Sequence, residues 1–301
     1  MALAAEPRRA SLPLPGGRQG AAVRLHPLLV ATMSAPPGIL HRHQGSLAGL
    51  RGLGVGVPRN SYVELPVGAF LVEHPGAGPV LIDTGFHGSV AIDPVNAMGR
   101  LGALIFKSVE MEPGHAVPDQ LRGLGVEPAA IETIVLTHLH ADNVGGIGHF
   151  PEATLVLDEA EWHAAVAGGE RDGYVKRWFD HAFDYRLLDF RGTDAASFAS
   201  FGHALDLFGD ASVVLVSTPG HSEGHLSVVL RLAGGREALI AGGAVPTAET
   251  LRTGDLPGKV ADEHRFKRSL REIQLYVEQT PSALIVPGLD LPCWRGLDPA
   301  Y

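Results

Sequence analysis

Read along the chain for apolar runs, the sequence becomes regular from Ala22 onward. AVRLHPLLV (22–30) predicts a first strand, followed by a Gly- and Pro-rich connection through GLRGLGVGVPRN (49–60). VGAFLVE (67–73) and VLIDTG (80–85) predict two short strands around the turn HPGAGP. A helical stretch is expected from Pro94 to Ser108. A second is expected in VPDQLRGLGV (117–126), with Val117, Leu121 and Leu124 on one face and a stop at Gly125. IETIVLTHLH (131–140) returns to strand, and TLVLDEAEW (154–162) reads as strand into helix, with Asp158 and Glu161 spaced as a capping box.

Further on, VVLVS (213–217), LSVVLRL (226–232), ALIAGGA (238–244) and ALIVPGLD (283–290) predict strands. Between the last two, residues 262–279 set Phe266, Leu270, Ile273 and Val277 on one helical face and stop before Pro281. Alternating strands and helices point to an α/β architecture. YVKRWFDHAFDYRLLDF (174–190) is aromatic-rich, a pattern that suits a core more often than a pocket lining.

Length and composition narrow the class. The 301 residues suffice for one large domain or two small ones, and 45% hydrophobic with 19% charged residues is an ordinary globular balance. A net charge of -9 without any Lys/Arg block argues against a nucleic-acid groove. One cysteine, Cys293, excludes an internal disulfide and fits a reducing compartment, so a cytoplasmic location is expected. No apolar run reaches about 18 residues, which leaves no membrane-spanning helix. Residues 1–22 lack the apolar segment of a secretory signal and are read as a disordered tail ahead of one domain over 23–301.

Chemistry concentrates at strand ends. In THLHADNVGG (137–146), His138, His140 and Asp142 alternate and leave an extended backbone on one side, so they can converge on one point, such as a metal. His41 and His43 share the i, i+2 spacing but follow APPG with no strand behind them, and read as solvated loop histidines. TPGHSEGH (218–225) supplies His221 beside Gly220, where a tight backbone approach is possible, and His225. Asp83 closes a buried strand and needs partners, in a turn or in support of a nearby site.

LIDTG (81–85), THLHADNVGG and TPGHSEGH, in this order and spacing, resemble the metallo-β-lactamase superfamily over nearly the whole chain from Val23. GLGVEPAAIETIVLTHLHADNVGG and TPGHSEGH look most like the branch that includes the N-acyl homoserine lactonases. The resemblance implies a four-layer αββα sandwich of two mixed sheets with a site at one edge. It also implies that His138, His140 and His221 hold a first metal, while the positions of Asp142, Asn143 and Leu289 would hold a second, bridged from the position of Gly243. Only Asp142 keeps a usual ligand type in that second set, because Asn is a poor substitute for imidazole and Leu and Gly offer no ligand. The substrate-contacting Tyr of the lactonases is matched by Pro246.

The expectation is therefore a single zinc ion, with iron, manganese or cobalt as substitutes, on three neutral histidines. Asp142 would orient the attacking water or take its proton. His225 and Asp83 are expected in supporting positions, and Glu223 is less constrained. The implied function is hydrolysis of a small-molecule lactone, ester or amide by metal-bound hydroxide. The alternative is a family member that has lost catalysis and acts as a binding or regulatory protein. An iron oxygenase fits less well, since those relatives use the bridging Asp absent here. Substrate identity and oligomeric state stay open.

Overall fold

The apolar runs pair into two mixed sheets. The structure, a computed structural model, describes residues 6–42, 51, 52, 54–93, 95, 99, 100, 103, 108–181 and 183–301. The first sheet contains β1 (Arg8–Arg9), β2 (Arg24–Ala35), β3 (Val63–His74), β4 (Gly78–Ile82), β5 (Val109–Glu110), β6 (Thr133–Val135), β7 (Thr154–Asp158) and β8 (Asp184–Leu188), in spatial order β1-β8-β7-β6-β4-β3-β2-β5. The second contains β9 (Ala196–Phe198), β10 (Phe201–Asp206), β11 (Val213–Ser217), β12 (Leu226–Arg231), β13 (Glu237–Gly242) and β14 (Leu284–Pro287), in order β14-β13-β12-β11-β10-β9. β4, β6, β7 and β8 run parallel, as do β13 and β14, whereas β2, β3 and β4 form an antiparallel meander.

The α-helices whose bounds fall within the described residues are α1 (Val117–Gly123), α2 (Ala141–Val144), α3 (Glu159–Ala167), α4 (Lys176–Phe179), α5 (Ala248–Thr253), α6 (Glu263–Gln279) and α7 (Leu291–Arg295). Strand alternation explains how they layer. Val80, Ile82 and Val135 point between the sheets and pack with Leu215, Val228 and Ile240, while Leu81, Ile134 and Leu155 point outward onto Leu121 of α1 and Trp162 of α3. On the far side Val216, Val229 and Leu239 meet Phe266, Leu270, Ile273 and Tyr276 of α6. The result is the expected four-layer αββα sandwich. Each of those α6 side chains contributes on the order of 2 kcal/mol through burial. Among the described residues, no helix is long and apolar enough to cross a membrane.

Several expectations shift. In α6 the fourth inner position belongs to Tyr276, whose hydroxyl donates to Glu237, and Val277 is only half-buried. α1 stops at Gly123, so Leu124 leaves the apolar face and is exposed, ahead of Gly125 at φ +79°. The helix expected over 94–108 and His43 fall mostly or wholly outside the described residues, whereas His41 is a solvated residue near Glu249.

The largest correction concerns the N-terminus. Residues 6–22 are laid on the sandwich and are not a disordered tail. Arg8 and Arg9 add a parallel edge to β8, Leu14 donates its N–H to the Leu207 carbonyl, and Ala10, Leu12 and Leu14 pack on the inter-sheet core. The Arg18 N–H reaches the Asp210 carboxylate at 2.7 Å, and that carboxylate also accepts from buried His74 at 3.0 Å. Leu and Ala set among Pro, Gly and Arg leave too weak a periodicity to announce this packing.

Candidate metal centre

Five strand ends open onto one edge of the sandwich. β4 delivers Asp83, β6 runs into Thr137 and His138, β11 into Thr218, β13 into Gly243 and β14 into Leu289. Backbone bonds knit these ends together: Asp83 N–H to Val135 O, Thr84 N–H to Asn143 O, and Leu226 N–H to Thr137 O, the last crossing between the sheets. Asp83 adopts φ +57°, a left-handed conformation unusual for a non-glycine. Its carboxylate explains the tolerance, because it accepts the Thr137 N–H at 2.8 Å, the Thr137 hydroxyl at 2.7 Å and the Asn143 amide at 2.8 Å. Burial still pushes the Asp83 carboxyl up to about 7.

The first histidine is oriented through that carboxylate. The Thr137 hydroxyl gives its proton to Asp83, so its oxygen is left to accept from His138 Nδ1–H at 3.0 Å. The Nε2 lone pair of His138 then faces away from the relay. For His140, the Asp172 carbonyl accepts a ring proton. Gly173, at φ +93°, lies on the same edge of the ring, where a Cβ would fall 2.7 Å from Nε2. Nδ1 of His140 is thereby turned toward Nε2 of His221, 3.2 Å away. For His138 and His140, hydrogen bonds on the far nitrogens therefore select which lone pairs converge.

The three rings form a near-equilateral tripod. Centroids are 4.5 Å apart for His138 and His140, 4.9 Å for His138 and His221, and 4.9 Å for His140 and His221, all edge-on. Their donor atoms lie within 4.8 Å of one another. Burial holds His138 and His140 well below the ordinary histidine range, with the neighbouring rings adding to it, and pushes His221 down to about 4. Neutral imidazoles are what a metal requires. Two nitrogens 2.0–2.1 Å from a tetrahedral ion stand roughly 3.3 Å apart, close to the separation of His140 and His221. The donor set fits a divalent ion such as zinc.

The remaining expected residues separate from this cluster. Asp142 lies in the first turn of α2, two residues after His140, and its oxygens are not among the three converging donors; burial pushes its carboxyl up to about 6. Asn143 spends its amide on Asp83. His225 is fully buried, faces the Thr218 hydroxyl at 2.9 Å through Nδ1 and accepts the Gly243 N–H at 3.0 Å through Nε2, so both its nitrogens are engaged. A Cβ on Gly243 would fall 2.3 Å from the His221 ring. Leu289 packs against the cluster of Leu65, Val67 and Phe86, and its N–H donates to the Pro246 carbonyl. Glu223 pairs with Arg265 at 2.8 Å on the rim.

Three residues of the site escape a reading of the sequence. Thr137 adjoins the histidine motif, but a strand-end Thr is common and only the proton count of its hydroxyl exposes its role. Tyr174 sits in the aromatic run, its ring 5.3 Å from that of His140. Glu161 does not close a capping box: Asp158 caps α3 through the Ala160 N–H at 2.7 Å, while Glu161 turns inward to accept the Leu139 and Gly224 N–H groups.

The sequence profile of the Metallo-beta-lactamase superfamily matches residues 63–288. The chain belongs to this superfamily. It is 32% identical over 243 residues to the N-acyl homoserine lactonase AttM of Rhizobium radiobacter, covering 79% of this chain and 86% of that protein. Among solved structures, an N-acyl homoserine lactone hydrolase with N-hexanoyl-L-homoserine at its catalytic metal centre shares the fold at TM-score 0.72 and 20% identity, covering 95% of this chain and 98% of the other. AidC, described as a dizinc quorum-quenching lactonase, shares it at TM-score 0.56 and 15% identity over 92% and 89%. The chain is a lactonase-like member of the superfamily.

Proposed function

We propose that the protein is a hydrolase of lactones, with esters and amides as secondary substrates, working with one divalent ion on His138, His140 and His221. The observation that carries this reading is the convergence of three neutral imidazoles, two of which, His138 and His140, have their outward nitrogens tied off by hydrogen bonds. Zinc suits the set best, and iron, manganese and cobalt also take imidazole ligands. Bound there, the ion would polarise the scissile carbonyl and lower the pKa of water. Lactones come first because the relatives over most of the chain are named as lactonases.

The protein's own groups divide the remaining work. Asp142 lies two residues after His140 and is buried, whereas Glu223, two residues after His221, is paired with Arg265; the Asp142 Oδ takes the proton of the attacking water as the water oxygen joins the acyl carbon. The acyl C–O bond then breaks, and the same proton passes to the leaving alkoxide, giving a hydroxy acid from a lactone. His225 and Asp83 hold the frame.

Three features support one ion. Asn143 donates to Asp83, the His221 ring fills the side-chain space at Gly243, and Leu289 is part of an apolar cluster. The test is elemental analysis of protein purified without added chelator or metal, coupled to lactone and ester hydrolysis with zinc, manganese, iron and cobalt. About one ion per chain with lactone turnover is expected. Clearly substoichiometric metal with no turnover under any condition would sink the hydrolase, and two ions per chain would overturn the single-ion form.

A further inference from the structure

The first turn of α3 buries a carboxylate that the proposed chemistry does not use. Glu161 is fully buried, and its two oxygens point to different loops. Oε1 accepts the Leu139 N–H at 3.0 Å, and Oε2 accepts the Gly224 N–H at 3.0 Å. Leu139 lies between His138 and His140, and Gly224 between His221 and His225. The first loop leaves β6 of one sheet and the second leaves β11 of the other. One side chain thus grips the tips of loops from both sheets, while the bond from Leu226 N–H to Thr137 O joins the same loops at their strand ends.

The contact is close on every side. A Cβ on Gly224 would fall 2.2 Å from the Glu161 backbone nitrogen, so the His221 loop rests directly on the helix turn. Burial and the neighbouring Glu161 carboxylate push the Tyr174 phenol above its ordinary range, and the Tyr174 ring packs beside His140. Burying a carboxylate for helix capping alone would be costly and redundant, because Asp158 already caps α3. Charged acceptors bind backbone N–H groups more strongly than neutral ones, which makes a carboxylate the suitable clasp.

We propose that Glu161 is a positioning residue that sets the separation of the His138/His140 loop from the His221 loop and thereby the affinity and symmetry of the metal centre. This rests on the metal-centre reading above. In Glu161→Gln one carbonyl oxygen can hold one loop, while the amide N–H₂ opposes the other donor.

The test measures Co(II) affinity by chelator competition and the visible spectrum of the Co(II) protein, beside thermal unfolding of the metal-free form. Glu161→Gln is expected to weaken Co(II) about 10- to 100-fold and alter the spectrum. Asp158→Ala, which removes the cap and leaves both Glu161 hydrogen bonds in place, is expected to lower the melting temperature with less than about a twofold change in affinity. A folded Glu161→Gln protein with the parent's affinity and spectrum would overturn the tether. A parent that binds no Co(II) would instead overturn the metal centre itself. Hydrogen exchange on the unmodified protein keeps the test independent of variant folding. The Leu139 and Gly224 amides should open together after correction for intrinsic rates, and rates more than about tenfold apart would overturn the shared clasp.

Discussion

The imidazole of His221 occupies the space that a side chain at residue 243 would need, and Gly243 lets it stand there: a Cβ would lie 2.3 Å from Cδ2 and 2.7 Å from Nε2 of that ring. Gly243→Ala should therefore displace His221 from the tripod. Overpacking costs about 1–3 kcal/mol, and the shifted ligand should weaken metal about tenfold or more. Thermal unfolding with and without Zn(II) reads both effects. Unchanged metal affinity would show that the ring has room to move.

Ligands and bases part company when metal and rate are measured in the same sample. His138→Ala should abolish metal binding, since it removes one of three converging nitrogens. Asp142→Ala should retain the ion and lose about 10²- to 10⁴-fold in rate, the usual range for a general base. Equal loss of metal from both variants would make Asp142 a ligand instead.

The fold was largely legible because its central strands are unbroken apolar runs buried on both faces, as in Val80, Leu81 and Ile82, and because α6 has a strong period. The tripod was legible because His138 and His140 share a short motif and His221 lies in a second one. What the sequence withheld is pairing across distance. Glu161 serves residues 22 and 63 positions away, yet three residues after Asp158 it matches a local cap pattern equally well. The packed segment from Glu6 to Ala22 carries no period because irregular chain is held by scattered contacts and backbone bonds, which leave no repeat.

Restoring one lost family residue should not recreate a second metal site. Asn143→His would remove the amide that donates to Asp83, while Gly243 and Leu289 still supply no ligand. Loss of a donor to a buried carboxylate costs about 1–3 kcal/mol. The expected outcome is a lower melting temperature with metal still near one ion per chain, read by calorimetry and elemental analysis. A second tightly held ion in this variant would show that Asn143 alone blocks the site.

Removing residues 1–20 should destabilise the sandwich. The deletion takes away the β1 edge, the apolar contacts of Ala10, Leu12 and Leu14 and the Arg18 N–H that Asp210 accepts. Burial of those side chains corresponds to about 3 kcal/mol, or a fall of about 5 °C or more in a chain this size. A truncated protein melting with the parent would return this segment to the status of a mobile tail.

Outside the metal centre, His149 offers a stability switch of known sign. Its ring stacks on His87 at 4.1 Å, its Nε2 is buried without a hydrogen-bond partner, and burial, with His87 adding to it, pushes it down to about 4. The folded value lies below the unfolded one of 6.5, so stability from the neutral ring is present above 6.5 and is lost as pH falls toward 4, where the unfolded chain binds the extra proton. His149→Phe keeps a ring for stacking and cannot be protonated. Between pH 7.5 and 5 the parent should lose about 1–2 kcal/mol more than the variant, after allowing for a ring that is only half-buried. Urea unfolding of both proteins at the two pH values measures the difference. Parallel losses would mean that His149 is protonated in the folded protein as readily as in the unfolded chain.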